Sequence, residues 1–430
     1  MNNELLQDLK WRGLINDCTD IEGLEKALTK PIALYAGVDP TADSMHIGHL
    51  LPFLVLKRFQ NVGHQPIVLV GGATGTIGDP SGKNAERKIQ TLETIKHNVV
   101  CLTGQLKRIF GETAIFVNNY DWTHELSVIE FLRDFGKSFN VSQMIAKDTV
   151  KSRLETGISF TEFSYQLLQA MDFNHLREHY QCKLQIGGSD QWGNIVSGLD
   201  LIRKKQGHET EAFGLTLPLV TKSDGTKFGK TEGGAIWLDT SKTSPYEMYQ
   251  FFINTADADA MNFLKYFTFL SRSEIEEIAE KFASAPHERL AQKTLAYEIV
   301  KLIHGEVAIN QAKRITEALF SGDIASLTSE EIAVGFKDVP STIITEDLGL
   351  IDVLVMIGAA SSKREAREFI MNNGVSINGE KQNQLEFIVK KQHAIDEKFT
   401  IVRRGKKKYF LIQHDMDKIN ERGEYYECKD

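Results

Sequence analysis

Three short stretches of this chain carry residue types suited to phosphate. His46-Ile-Gly-His49 sets two imidazoles around a glycine. Thr226-Lys-Phe-Gly-Lys-Thr231 supplies two lysines and a hydroxyl between Asp224-Gly225 and Gly233-Gly234, and a loop with such hinges can close over a polyphosphate. Gly71-Gly-Ala-Thr-Gly-Thr-Ile-Gly-Asp-Pro80 leads into Ser81-Gly82-Lys83 and Arg87. It lacks the GxxxxGK[ST] spacing of a Walker loop. Taken singly each is weak: the chain has 12 histidines, surface lysine pairs are commonly just solvated, and many strand-to-helix turns contain glycine. Two further clusters suit a small polar ligand. Tyr165, Gln169 and Asp172 stand at i, i+4 and i+7 and share one helix face. They form either a solvated stripe or a recognition surface, and the interleaved Phe163, Leu167, Leu168 and Met171 favour a pocket. The second cluster is Gly187-Gly-Ser-Asp-Gln-Trp-Gly-Asn194.

The flanking sequence says how these stretches are held. Ile32 to Val38 is a short apolar run closed by Asp39-Pro40, and Leu50 to Phe59 has helical spacing with Pro52 in its first turn. His46 to His49 therefore lies at a strand-to-helix turn, where exposed N–H groups favour an anion. Gly48 leaves room for a nucleotide against the backbone. Gln65 to Val70 reads as the next strand, making a βαβ unit with parallel strands, and glycine loops after such strands are where open α/β sheets bind ligands. Helix follows over Glu86 to Phe110, a strand over Ala114 to Val117 ending in Asn118-Asn119-Tyr120-Asp121, and helical periodicity over Leu126 to Phe135. A helix begins near Thr161, with strands at Lys183 to Ile186 and Leu215 to Val220 around a helix ending at Lys205.

Beyond Pro245 the strands stop, and Pro245 to Ile253, Ser273 to Phe282 and Glu288 to Leu319 read as helices. The fold class is α/β: a Rossmann-like parallel-sheet domain over 1–244, an all-α domain over 245–325, a linker over 326–346, and a small α+β domain over 347–430. The last domain shows helices at Leu348 to Ile357 and Ser362 to Met371, a strand at Val375 to Ile377, and a hairpin from Phe399 to Ile412. That hairpin turns at Arg403-Arg-Gly-Lys-Lys-Lys408, with Lys363, Arg364 and Arg367 on a nearby helix. Such a tip is either a solubilising edge or a contact for a phosphate backbone. The net charge of −8 excludes a chain that coats nucleic acid everywhere, so any RNA contact needs a local basic patch. No apolar run approaches the ~20 residues of a membrane span. The polar start and four scattered cysteines fit a reduced, cytoplasmic compartment.

With these motifs in order, the chain resembles the bacterial-type tyrosyl-tRNA synthetases of class I from end to end. His46 to His49 matches the class's HIGH motif, Lys227 to Thr231 the family's form of the KMSKS loop, and Gly187 to Asn194 with Tyr165 to Asp172 its amino-acid site. The C-terminal unit is similar to the family's appended RNA-binding domain of ribosomal-protein type. The resemblance implies a ligase that activates L-tyrosine with ATP to tyrosyl-adenylate and pyrophosphate. It then transfers the tyrosyl group to the 3′-terminal adenosine of tRNA(Tyr). In-line attack by an existing carboxylate needs no general base, so catalysis would be positioning plus electrostatic stabilisation. By the same resemblance Thr41, His46 and His49 serve the ATP phosphates, while Lys83, Arg87, Lys227, Lys230 and Thr231 embrace the pyrophosphate. Gly37, Asp39, Gly48, Asp190, Gln191 and Lys230 hold nucleotide and adenylate. Asp79, Tyr165 and Gln169 take the ammonium, and Tyr35 with Asp172 the phenol.

The family further implies Mg²⁺ arriving with ATP without a protein cage, no tightly bound cofactor, and a homodimer joined through residues 120–175, with Phe160 an interface residue. One tRNA would span both subunits, contacting Lys363, Arg364, Arg367, Arg403, Arg404, Lys406, Lys407 and Lys408. Two other readings compete. A different HIGH-type nucleotidyltransferase acting on a small metabolite would leave the helical and basic C-terminal parts without a purpose. A synthetase-like RNA-binding protein with a decayed site would have lost motif lysines or histidines, and all are present.

Overall fold

The apolar runs Ala33–Val38 and Gln65–Val70 pair side by side, as their spacing demands. In the computed structural model, which describes residues 2–81, 90–151, 153, 157–231, 234–337, 339–405 and 408–415, Ala33 lies opposite Gln65 and Val38 opposite Val70 in a parallel ladder. Six strands make the sheet: β1 (Asp17–Cys18), β2 (Ala33–Val38), β3 (Gln65–Val70), β4 (Ile115–Asn118), β5 (Cys182–Gly188) and β6 (Phe213–Leu217). Their order is β1-β6-β5-β2-β3-β4, all parallel except the antiparallel edge strand β1. From β2 the chain runs outward to β3 and β4, and later to β5 and β6 on the other side. This reversal opens a crevice at the carboxyl ends of β2 and β5, the place where open α/β sheets take ligands. Strands β2 and β3 read as nearly continuous apolar runs because both faces of a parallel sheet are covered.

Some boundaries differ from expectation for physical reasons. Strand β6 ends at Leu217, not Val220, because Pro218 has no N–H to give the ladder. The helix expected from Glu86 is Leu92–Phe110, capped by the Thr91 side chain. The helical pattern over Leu126 to Phe135 shrinks to Val128–Glu130 and one π turn, Phe131–Phe135. Leu126, Phe131 and Phe135 pack against Ala170, Met171 and Leu201, while Val128, Ile129 and Leu132 are exposed. The single helix expected from Glu288 to Leu319 is two, Leu290–His304 and Glu306–Ser321. They are separated by Gly305 at φ 87, which a continuing helix cannot adopt.

The described residues of Met1–Thr243 with Gln250–Ile303 form one compact unit, and those of Ser244–Tyr249 with His304–Asp430 a second. The helices expected over 245–325 are thus divided between two bodies and do not form a domain of their own. Among the described residues no helix is long and apolar enough to cross a membrane. Between β6 and the second unit's strands lies a small hairpin of β7 (Lys230–Thr231) and β8 (Gly234–Ala235).

In the second unit β9 (Ser341–Ile344) and the hairpin β14 (Phe399–Arg404) and β15 (Lys408–His414) join β11 (Val375–Ile377) and β12 (Glu380–Gln382). The sheet order is β12-β11-β14-β15-β9. A short separate pair, β10 (Leu348–Gly349) and β13 (Ile388–Val389), stands beside it. Asn378 and Gly379 both take positive φ, which closes β11 and β12 with a two-residue turn. Alternation along β14 and β15 feeds two cores. Val402, Phe410 and Ile412 pack with Leu350–Met356 and Lys363–Met371, while Ile401 and Leu411 pack with Ile315, Ile324, Leu327, Ile332 and Phe336.

Residues 326–346 are therefore not a linker. They hold the helix Ser329–Gly335, with a capping box at Thr328, and strand β9, parallel to β15. Their apolar residues are spread over elements too short to show a period and combine only against the distant hairpin. Phe336 is 1% exposed in that core, so Phe336→Ala should cost about 3–5 kcal/mol in denaturant unfolding of the C-terminal unit. A linker residue would cost nothing measurable.

Candidate active site

The His46–His49 turn is built as a helix entry. His46 is extended and its Nδ1 accepts from the Gly48 N–H at 3.1 Å, so a neutral His46 carries its proton on Nε2. The two imidazoles stack with centroids 3.7 Å apart. A Cβ on Gly48 would lie 2.8 Å from the His46 ring and 3.3 Å from the Phe228 carbonyl, so only glycine fits between them.

Phe228 belongs to the lysine loop, and the backbone ties the two motifs together. Ile47 N donates to Ile236 O at 2.9 Å, Leu238 N to Met45 O at 2.8 Å, and Ile236 N to Gly229 O at 3.1 Å. Gly229 has φ 84, and a Cβ there would meet Gly48 N at 3.0 Å. Phe228 anchors the loop by packing on Phe251, Phe252, Phe263 and Phe267. Lys227 next to it is exposed, and its charge acts on Asp190. The side chains of Lys230 and Thr231, and the whole of Lys83 and Arg87, lie outside the described residues. Thr41 bonds through its backbone to Asp39 O, and its own carbonyl accepts from Gln90. Gly37 is the exposed position at the carboxyl end of β2, where the crevice opens.

Tyr165, Gln169 and Asp172 project from the Phe160–Tyr180 helix towards loops from four strand ends. The Tyr165 hydroxyl donates to Asp39 Oδ2 at 2.8 Å, and Thr74 Oγ1 donates to Asp39 Oδ1 at 2.7 Å. Asp172 is buried and accepts from Asn119 Nδ2 at 2.9 Å and Trp122 Nε1 at 3.0 Å. Burial outweighs those two donors and pushes its carboxyl up to about 7. Tyr35 comes up from β2, stacks obliquely on Phe173 at 5.4 Å, and is 2% exposed. Among the described residues its hydroxyl has no hydrogen-bond partner, and burial followed by the Asp172 charge holds its pKa well above the usual phenol range.

Asp79 sits after the third strand. Its Oδ1 accepts from Ser81 N at 2.9 Å and its Oδ2 from Gln191 Nε2 at 2.7 Å. Asn194 Nδ2 reaches Gln169 Oε1 at 3.1 Å, Gln191 Oε1 at 3.3 Å and Ser81 Oγ at 3.4 Å. Burial, then the Asp79 charge, raises Asp190, while Asp39, Asp79 and Asp172 all act on the Tyr165 phenol. Several carboxylates thus share one cavity, which draws a cation such as an ammonium. Of the residues named from sequence, the structure brings Tyr35, Gly37, Asp39, His46, Gly48, His49, Asp79, Tyr165, Gln169, Asp172, Asp190 and Gln191 to the carboxyl ends of the sheet strands. The sequence offered no individual role for Thr74, Asn119 and Asn194, though each lies in a stretch named above, and no signal for Trp122. Asn119 and Thr74 were findable, because each stands in a loop directly after a parallel strand.

The basic residues of the C-terminal unit are not equivalent. Arg403 and Arg404 belong to β14 and are half-buried, which corrects their placement at the hairpin tip. Arg404 donates to Ala359 O and lies 5.2 Å over the Phe369 ring, and Lys363 pairs with Asp352 at 2.6 Å. Arg364, Arg367 and Lys408 are exposed. Lys406 and Lys407 lie outside the described residues.

Comparisons with known proteins point to one family. Residues 26–321 match the family described as tRNA synthetases class I (W and Y), and residues 331–412 match the tyrosine–tRNA ligase SYY-like C-terminal domain. A tyrosine–tRNA ligase of Listeria welshimeri is 60% identical over 417 residues, 95% of this chain and 99% of that protein. A tyrosine–tRNA ligase 2 of Bacillus cereus is 57% identical over 415 residues, with the same shares covered. Among solved structures, a C-terminally truncated mitochondrial tyrosyl-tRNA synthetase of Aspergillus nidulans superposes with a TM-score of 0.66 at 36% identity. It covers 74% of this chain and 94% of that one.

The carboxyl of Asp172 gives a pH signature. Because its folded pKa of about 7 lies above the unfolded value, the folded state holds the proton between them, and stability falls as pH rises through that window. Asp172→Asn removes the titration. Its stability relative to the parent should therefore rise from pH 4 to pH 7 by up to roughly 4 kcal/mol and stay level above. Unfolding curves across that range check it, and a gap independent of pH would show that Asp172 does not titrate there.

Proposed function

The chain belongs to the class I tRNA synthetases of the W and Y type, and from that premise we propose how its residues divide the work. It is a tyrosine–tRNA ligase that uses tyrosine, ATP and tRNA. The observation that carries the choice of amino acid is the Tyr35 hydroxyl, buried without a partner and close enough to Asp172 to feel its charge. An unsatisfied buried hydroxyl costs about 1–3 kcal/mol, and a substrate phenol removes that cost. It accepts from Tyr35 and donates to Asp172, whose remaining lone pairs lie beyond the bonds from Asn119 and Trp122. Phenylalanine would leave the Tyr35 hydroxyl without a partner and Asp172 with only its two bonds from Asn119 and Trp122.

The rest of the site follows from charge. The ammonium lies among Asp79, Tyr165 and Gln169, drawn by the carboxylates that already act on the Tyr165 phenol. Gly37 and Gly48 let the nucleotide lie against backbone, with Asp39, Asp190 and Gln191 holding the ribose and the adenylate. Thr41, His46 and His49 serve the phosphates, and Lys83, Arg87, Lys227, Lys230 and Thr231 neutralise the departing pyrophosphate. Among the described residues no three His, Cys, Asp or Glu side chains converge on a metal position. A Mg²⁺ accompanying ATP would be held mainly by phosphate oxygens, whose charge it would reduce.

The assembly proposed is a homodimer. Val128, Ile129, Val141 and Phe160 are 60–74% exposed, and a second copy of this chain is the partner that would cover them. The cytoplasm suits the free thiols of Cys18, Cys101 and Cys182. In the C-terminal unit the exposed Arg364, Arg367 and Lys408 are the phosphate contacts for tRNA.

Two measurements test these roles. Tyr35→Phe should leave unfolding stability unchanged or slightly higher, because it deletes an orphaned hydroxyl, yet weaken tyrosine binding by about 0.5–1.5 kcal/mol. Unchanged binding would move phenol recognition elsewhere. The triple variant Arg364→Ala, Arg367→Ala, Lys408→Ala should keep tyrosine-dependent pyrophosphate exchange. The salt dependence of its tRNA affinity should flatten by roughly 0.7–0.9 per lost contact, read by filter binding. An unaltered slope would remove these residues from the RNA interface.

A further inference from the structure

The polar network around Asp79 has a direction, and one residue relays it. An ionised carboxylate cannot face a carbonyl oxygen at hydrogen-bond distance, so the 2.7 Å contact to Asp79 Oδ2 must come from Gln191 Nε2. Gln191 then turns its Oε1 towards Asn194, 3.3 Å away, and an oxygen there must meet the Asn194 NH₂. The same NH₂ lies 3.1 Å from Gln169, so Gln169 is obliged to present its oxygen. Asn194 is 5% exposed, while Gln169 and Gln191 are half-buried. One carboxylate thus fixes the orientation of three carboxamides in turn. X-ray density seldom separates the nitrogen and oxygen of such groups, but the hydrogen-bond logic does.

We propose that Asn194 is a positioning residue for the substrate ammonium. By donating to Gln169 it keeps the Gln169 oxygen at this point, and that oxygen retains a second lone pair for an N–H donor. With the amide reversed, Gln169 would set an NH₂ group where –NH₃⁺ needs an acceptor. The inference rests on the reading of Asp79 and Gln169 as ammonium ligands. Asn194 itself touches no reacting atom.

The test compares two ligands that differ only in the amine: tyrosinol and 3-(4-hydroxyphenyl)propan-1-ol. Calorimetric titration of the full-length Asn194→Ala protein should show tyrosinol weakened about tenfold, the worth of one well-made hydrogen bond to a charged group's ligand. The deaminated alcohol should bind within roughly twofold of the parent, and its binding also reports that the pocket is folded. Asn194→Ser, which retains a donor, should fall between alanine and parent for tyrosinol alone. Equal weakening of both ligands in the alanine and serine variants would make Asn194 a packing residue and overturn the proposal, as would no change in either. Gln169→Ala separates this failure from failure of the underlying reading. If it lowers tyrosinol affinity while Asn194→Ala does not, only the positioning role falls. If Gln169→Ala is itself silent, the ammonium assignment falls with it. Where both hold, Asn194→Ala should add little in a Gln169→Ala background, because its effect passes through Gln169.

Discussion

A carboxylate taken out of water must be met by N–H and O–H donors, and the crevice of this fold holds several in close company. Asp39, Asp79 and Asp172 each accept two described hydrogen bonds, and the donors come from different parts of the chain. Tyr165 and Thr74 serve Asp39, Asn119 and Trp122 serve Asp172, and Gln191 with the Ser81 backbone serves Asp79. The loops after β3, β4 and β5 and the Phe160–Tyr180 helix are thereby held in register by the same groups proposed above to recognise substrate. Stability and recognition share these bonds, so a change at one carboxylate moves both. Where donors run short, among the described residues, stand the orphaned Tyr35 hydroxyl and the raised Asp172, the place proposed for the phenol.

The phosphate side is organised by backbone contact. The His46–Ile47 segment bridges to Ile236–Trp237, and Gly229 rests against Gly48, so the histidine turn and the lysine loop meet with no side chain between them. Phe228, sunk among four other phenylalanines, fixes one end of that loop, while Lys227 beside it stays exposed. Gly225 and Gly229 on either side of that ring both take positive φ, the turns that let the loop fold back on itself.

Much of this was legible in the amino-acid order. Apolar runs such as Ala33–Val38 and Gln65–Val70 reveal strands because a buried parallel sheet needs apolar residues on both faces. The motif residues were recognisable because they follow such strands. What escaped detection depends on partners far away in the chain. Residues 326–346 show no period, since Ile332 and Phe336 become core only against Ile401 and Leu411. Asn194 and Trp122 look unremarkable until their donors are seen to meet Gln169 and Asp172. The exposed Val128 and Ile129 gave a helical pattern for a face that this chain alone leaves uncovered. Arg404 looked like a free cation at a hairpin tip, whereas the fold spends it on the Ala359 carbonyl and the Phe369 ring.

The crevice is proposed to select an amino acid bearing a phenol and to activate it with ATP. The most direct measurement is ATP–pyrophosphate exchange by the full-length protein with each of the twenty amino acids in turn. Exchange should depend on tyrosine, with phenylalanine and tryptophan supporting little above background. Comparable exchange with phenylalanine would contradict the role given to Tyr35 and Asp172, and no exchange with tyrosine would contradict the account as a whole.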